Sequence, residues 1–128
     1  MDFPENLYYT KDHEWISSLS GTAKIGVSAY AIEQLGDIVH IDLPAVGSSF
    51  AEQDSFGTIE STKTVSDLYM PAKGKVIAVN EEVIKKPVLL HADPYKNGWL
   101  LKIELASEAA KERLMSSEDY QSYVRDEA

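Results

Sequence analysis

The sequence predicts an all-β fold, a flattened barrel or sandwich of two sheets, with one short helix and a helical C-terminus. Turn-forming residues recur about every ten positions, and the segments between them are short and rich in Val, Ile, Thr and Tyr. Several of these segments alternate apolar and polar residues. The 128 residues suffice for one core, whereas two separate cores would each fall near the lower limit of stable size. We therefore expect a single domain over 1–128.

Three segments alternate as half-buried strands do: 22–27, 38–43 and 99–105. In the third, Leu100 is the one apolar residue expected on the outer face. The residues expected to face the core are Ala23, Ile25, Val27, Val39, Ile41, Leu43, Trp99, Leu101, Ile103 and Leu105.

Short stretches that contain glycine mark the chain reversals between the strands. The pair Asn97-Gly98 predicts a type I′ turn just before the third strand. Further turns are predicted at 20–21, 44–47 and 71–74.

Two segments depart from the β pattern. Ser28 can cap a short helix over 29–35, which Gly36 would end. Beyond Ser107 glycine and proline disappear and helix formers dominate, which predicts a helical tail over about 107–128 with a break near 116–117.

Composition excludes several classes of function. A net charge of −9 opposes nucleic-acid binding, and no apolar run is long enough to span a membrane. Without cysteine there is no disulfide, Fe–S cluster, thiolate metal site or cysteine nucleophile, so thiol chemistry would need an added cofactor. The histidines lack metal-site spacing, and we expect no metal. The glycine-rich phosphate-binding and serine-hydrolase motifs are also missing.

One lysine stands alone in a strand-like stretch. Lys63 lies within 56–71, FGTIESTKTVSDLYMP, with Glu60 and Asp67 on either side. This arrangement predicts a hairpin with the lysine near its tip, where a modifying enzyme can reach it. From the residues alone, an ordinary solvated surface lysine is the alternative.

The segment resembles the attachment site of the glycine cleavage H-protein family, in which lipoic acid is joined to a lysine by an amide bond. The motif is Glu60-Ser61-Thr62-Lys63. The resemblance extends over nearly the whole chain, with KDHEW at 11–15 as its clearest upstream part. Further matching stretches, in the family's order and spacing, lie at 26–27, 35–39, 42–44, 46–47, 66–69, 71, 74, 79–80, 94–95 and 98–99.

The resemblance implies a non-catalytic carrier with lipoic acid on Lys63. Its partners would be the PLP-dependent glycine decarboxylase, the tetrahydrofolate-dependent aminomethyltransferase, dihydrolipoyl dehydrogenase and a lipoate-attaching enzyme. The loaded arm would carry an aminomethyl group, from which water can release formaldehyde and ammonia, so a sheltering cleft would slow that loss. Glu14 and Asp67 are the acids that the resemblance assigns to the cargo's ammonium.

Other functions stay open at this stage. An H-like protein can act mainly as a lipoyl donor in a lipoate relay. A free-standing lipoyl domain and a biotinyl carrier are alternatives for the identity of the cofactor, and the sequence matches them less well. A binding module without a prosthetic group could dock through the acidic tail, and a small hydrolase could use Glu14, Asp67 and a histidine. The chain departs from the family at Thr62, Thr64 and His91, and His91 is expected near the segment that borders the arm.

The acidic stretch 1–14 lacks a cationic leader. We therefore expect a cytoplasmic bacterial protein, or a mitochondrial matrix protein whose leader has been removed. We also expect a monomer.

Overall fold

The computed structural model describes residues 2–109 and 111–127, and its β strands form two antiparallel sheets. The strands are β1 Tyr8–Tyr9, β2 Glu14–Ile16, β3 Thr22–Val27, β4 Ile38–Asp42, β5 Ser49–Phe50, β6 Ser55–Ser61, β7 Val65–Tyr69, β8 Gly74–Val79 and β9 Leu101–Leu105. The larger sheet has the order β1-β2-β3-β9-β8-β5 and the smaller β4-β6-β7. The predicted two-sheet sandwich is confirmed, and the described strands do not close into a barrel.

Short helices complete the described part of the chain. They are α1 Ala29–Leu35, α2 Glu81–Lys85, α3 Val88–Ala92 and α4 Ser117–Glu127, with a 3₁₀ turn at Lys111–Arg113. Among the residues described, no helix has the length and apolar character needed to cross a bilayer. Nor do the described ranges contain a group of three His, Asp or Glu side chains that could hold a metal ion.

The buried side chains form two clusters. The larger joins aliphatic residues of both sheets, for example Ile25, Ile59 and Leu101. The smaller is aromatic and contains Tyr9, Trp15 and Tyr120. In the smaller cluster the rings of Tyr9 and Tyr120 stack with centroids 4.6 Å apart and planes 5° apart. This stack fixes α4 against the first strand of the larger sheet.

The predicted strand at 22–27 is confirmed, and Ala23, Ile25 and Val27 are buried. The inward position predicted for Val39 is wrong, because this side chain is 53% exposed. The pairing of β4 with β6 shifts register between Ile38 and His40, and such a bulge turns one residue out of the alternation.

The prediction that Leu100 faces outward is also wrong, since its side chain is fully buried in the larger cluster. Leu100 precedes β9, where its N–H bonds the carbonyl of Ile25 at 2.7 Å and its own carbonyl accepts from the Asn80 N–H. Trp99, expected inside, is half-buried and has the ammonium groups of Lys24 and Lys102 over its ring.

The type I′ turn predicted at Asn97-Gly98 is wrong, because Gly98 does not have the positive φ that this turn requires. Gly98 instead serves close packing, since a Cβ there would lie 2.5 Å from the Asp93 carbonyl oxygen. Positive φ does occur at the predicted turns that contain Gly21 and Gly47.

The helix at 29–35 is confirmed, with the Ser28 hydroxyl accepting from the Ala31 N–H and Gly36 at φ 79°. The helical tail begins later than predicted, at Ser117. Backbone hydrogen bonds from Ala109 to Leu19 and between Met115 and Tyr9 hold the intervening segment along the sheet, which prevents a continuous helix. Residues 110 and 128 of the predicted tail lie outside the described residues. The five-residue helices α2 and α3 were not predicted.

We predict that Gly57→Ala lowers the free energy of unfolding by about 1–3 kcal/mol. Gly57 lies at the register shift of β6, and a Cβ there would collide with the backbone carbonyl oxygen of Asp42 on β4. Urea unfolding followed by tryptophan fluorescence measures the change. Ser55→Ala, at an exposed position of the same strand, is the control and should leave the midpoint within error. Equal midpoints for both variants would contradict the close approach of β4 and β6.

Candidate functional site

A tight turn between β6 and β7 carries Lys63. The buried Ser61 organises it, because its hydroxyl accepts hydrogen bonds from the N–H groups of Lys63 and Thr64 at 3.3 and 3.2 Å. The Ser61 N–H closes the turn by donating to the Thr64 carbonyl at 2.8 Å. Thr62, Lys63 and Thr64 are exposed. The turn thus holds its backbone firmly while leaving the lysine side chain accessible.

The turn is also attached to the end of α1. The Thr62 N–H donates to the Asp37 carbonyl at 3.0 Å. A Cβ built on Gly36 would lie 3.7 Å from Lys63 Cε, so the lysine stem passes beside the helix terminus. Glu60 is exposed on β6, where it pairs with Val65.

A cleft of about 590 Å³ lies between α1, β7, the turn preceding β2 and the last part of α4. This volume is within the range typical of small-molecule sites. Part of its wall is apolar and part is polar. The apolar lining residues include Val27, Ala31, Leu35, Ile59 and Leu68, and the polar ones include Lys11, Asp12, His13, Glu14, Tyr30, Gln34, Ser66, Asp67, Tyr69, Tyr123 and Glu127.

Glu14 is the buried acid of this cleft, with only 2% of its surface exposed. Its carboxyl group accepts from the Thr10 hydroxyl at 3.0 Å and from the Tyr69 N–H at 3.3 Å. Burial raises the pKa of Glu14 to about 8, because desolvation penalises the charged form more than these hydrogen bonds favour it. Glu14 is therefore mostly uncharged at neutral pH in this structure.

Asp67 lines the same cleft but is exposed. Its carboxylate lies 3.5 Å from the Ser55 hydroxyl, at the limit of hydrogen-bonding distance. The fold thus brings Glu14 and Asp67, from different sheets, to one cavity, while Lys63 stands on the turn that follows β6.

His13 connects the cleft to α4. Its Nδ1 lies 2.7 Å from the Tyr120 hydroxyl and its Nε2 lies 3.1 Å from the Glu127 carboxylate. The Tyr120 hydroxyl also lies 2.6 Å from the hydroxyl of Ser28, the cap of α1. Burial lowers the pKa of His13, and the negative charges of Glu127 and Asp12 oppose that shift.

Sequence reasoning did not find several residues of the site. Thr10 was missed although it lies four positions before Glu14, and Tyr123 and Glu127 were missed because only the fold brings α4 to the cleft. His91 was expected near the arm, but it is on α3 and lines a different depression with Glu33 and Pro94.

We predict that Glu14→Gln becomes progressively more stable than the unchanged protein as the pH rises from about 4.5 to about 8. Over this window the folded protein retains a proton on Glu14 that the unfolded chain has lost, so the stability of the unchanged protein falls with pH. The slope of the difference is at most about 1.4 kcal/mol per pH unit. Urea unfolding midpoints measured across pH 4.5–9 give the stability difference between the two proteins at each pH. Parallel plots of stability against pH would contradict a buried, uncharged carboxyl group at Glu14.

Comparison with known proteins gives consistent results. The sequence profile of the family described as Glycine cleavage H-protein matches residues 7–127. The glycine cleavage system H protein of Halothermothrix orenii is 48% identical over 126 residues, which cover 98% of each chain. That of Carboxydothermus hydrogenoformans is 47% identical over 124 residues, covering 97% of this chain and 95% of the relative.

A solved structure has the same fold. The crystal structure of a glycine cleavage system H protein from Mycobacterium marinum superposes with a TM-score of 0.87 at 36% identity, covering 94% of this chain and 97% of that one. The matching profile, the full-length relatives and the shared architecture together show that this chain belongs to the glycine cleavage H-protein family.

Proposed function

We propose that this chain is the lipoyl carrier of a glycine cleavage system, with lipoic acid attached to Lys63. It takes the aminomethyl group of glycine from the PLP-dependent decarboxylase to the tetrahydrofolate-dependent aminomethyltransferase, and dihydrolipoyl dehydrogenase reoxidises it. Proteins of this family are non-catalytic carriers with covalently attached lipoic acid. The observation that carries the assignment of Lys63 is its exposed position on the ordered turn closed by Ser61.

The residues present fit such a group. When bound, lipoic acid supplies the sulfur chemistry that this cysteine-free chain lacks and holds the aminomethyl cargo through one sulfur. The apolar part of the cleft, including Leu35, Ile59 and Leu68, suits a hydrocarbon arm. The carboxyl groups of Glu14 and Asp67 suit a primary ammonium at its end.

Glu14 has a specific part in this proposal. The pKa of about 8 makes its carboxyl group uncharged when no cation is near. An ammonium within a few ångströms favours the ionised form, so its arrival lowers this pKa and releases a proton from the Glu14 carboxyl group. The hydrogen bonds from Thr10 and Tyr69 already point at the two carboxyl oxygens and stabilise the ionised form. Asp67, which is exposed, lines the same cleft.

We further propose that a lipoate-attaching enzyme recognises the turn through Glu60, Ser61 and Thr62. All three lie at or next to the tip, and Glu60 and Thr62 are exposed. The chain acts as a single-domain monomer in the bacterial cytoplasm, where its enzymatic partners would meet it. In support of a monomer, the exposed large apolar side chains of the described residues are spread over several elements, at Val39, Val46, Val65, Ile77 and Val88.

We predict that Lys63→Arg abolishes lipoylation, because arginine keeps the charge but cannot form the lipoyl amide. Intact mass of the protein purified from its own cells, followed by peptide mapping, measures the increment. Lys75→Arg, at another exposed lysine, is the control and should carry the full lipoyl increment on Lys63. An undiminished lipoyl increment on the Lys63→Arg protein would disprove the assignment, and a biotinyl increment on the unchanged protein would replace the cofactor.

We also predict that Ser61→Ala slows lipoylation several-fold while Ser61→Thr retains most of it. The alanine variant leaves the N–H groups of Lys63 and Thr64 without their shared acceptor, which loosens the turn that presents the lysine. Initial rates with a purified lipoate-attaching enzyme provide the measurement. Identical rates for all three proteins would show that the turn geometry does not matter to the enzyme.

A further inference from the structure

The C-terminal helix contributes to the cleft although it lies far from the attachment site in sequence. Tyr123 and Glu127 of α4 line the same cavity as Glu14 and Asp67. The Tyr123 hydroxyl lies 3.2 Å from the Lys11 carbonyl oxygen, to which it donates, and 3.3 Å from a Glu127 carboxylate oxygen. The last turns of α4 therefore close one side of the cleft over the chain segment that precedes β2.

His13 contacts this end of the helix at two points. His13 contacts Tyr120 through one ring nitrogen and Glu127 through the other, and these two residues lie about two helical turns apart on α4. The side chains of these two residues therefore converge on one ring, which links the two ends of the helix segment that borders the cleft. The aromatic rings of Tyr30, Tyr120 and Tyr123 surround it, with centroids 5.0–5.9 Å from its own.

The backbone of His13 is adapted to this contact. Its φ of 70° is in the left-handed region, which residues other than glycine rarely adopt. Two backbone hydrogen bonds stabilise this conformation: the His13 N–H donates to the Thr10 carbonyl at 3.1 Å, and the His13 carbonyl accepts from the Ser28 N–H at 2.9 Å. The same segment thus fixes Thr10, which bonds Glu14, and Ser28, which caps α1.

We propose that His13 is a positioning residue for the arm cleft. By binding Tyr120 and Glu127 it keeps the end of α4 against the cleft, so that Tyr123 and Glu127 enclose the cargo on the α4 side of the cleft and limit the access of water. This inference rests on the proposed carrier function. It assigns to the C-terminal helix the role of a cleft wall, and to Glu127 the role of a third carboxylate facing the cationic cargo.

The first test uses the unmodified protein. In the His13→Asn variant, asparagine tolerates the left-handed backbone but its side chain is too short to reach Glu127. The Glu127→Ala variant removes the carboxylate that His13 contacts. Asp126→Ala is the matched control, because Asp126 is an exposed acid on the same helix and does not line the cleft. We expect amide hydrogen exchange at 120–124 to accelerate about threefold to tenfold in the first two variants only. Unchanged exchange in both would overturn the positioning role.

The second test uses the lipoylated protein, loaded with the aminomethyl group by the decarboxylase partner and then repurified. Intact mass follows the spontaneous loss of the increment as formaldehyde appears. We expect His13→Asn and Glu127→Ala to shorten the lifetime of the loaded form about threefold to tenfold, and Asp126→Ala to leave it unchanged.

The two tests separate the possible errors. Faster amide exchange with an unaltered lifetime would mean that His13 only stabilises the helix, which overturns the inference and leaves the carrier function intact. If the unchanged protein cannot be lipoylated or loaded at all, the carrier function is wrong and the inference falls with it.

Discussion

The site depends on the hydrogen bond that the Glu14 carboxyl group accepts from the Tyr69 N–H, because this bond joins the two sheets. Glu14 belongs to the larger sheet, and the Tyr69 N–H that it binds belongs to the smaller one. A buried carboxyl group is costly unless its oxygens are hydrogen-bonded, so Thr10 and Tyr69 must be in place whenever the protein is folded. The hydrogen bond between Glu14 and Tyr69 therefore holds the two sheets together at the cleft.

The attachment site and the cleft differ in how freely their side chains can move. The backbone at Lys63 is tightly bonded through Ser61, yet the lysine side chain is exposed and free to carry a long group. The cleft is built from parts of the fold that hold one another: α1 is capped by Ser28, Ser28 bonds Tyr120, and Tyr120 contacts His13. A carrier needs this combination, because its cargo must be sheltered at rest and yet leave with the arm when an enzyme binds.

Local signals in the sequence were sufficient for the sandwich, the helix α1 and the hairpin that carries Lys63. The predictions failed where contacts between distant segments decide the conformation. A register shift against β6 turned Val39 outward, and backbone bonds to the first strand replaced the predicted helix before Ser117. Glu14 was found through a resemblance of motif, but no local pattern reveals that His13 meets Tyr120, 107 residues later.

The stacking of Tyr120 on Tyr9 also sets the order in which the molecule can be completed during synthesis. The turn at Lys63 closes through bonds between residues three positions apart and can form as soon as its strands have left the ribosome. The aromatic cluster, by contrast, needs the first strand and the last helix together. A nascent or prematurely terminated chain that lacks α4 therefore leaves the Tyr9 ring without its stacking partner, even when its attachment hairpin is already formed.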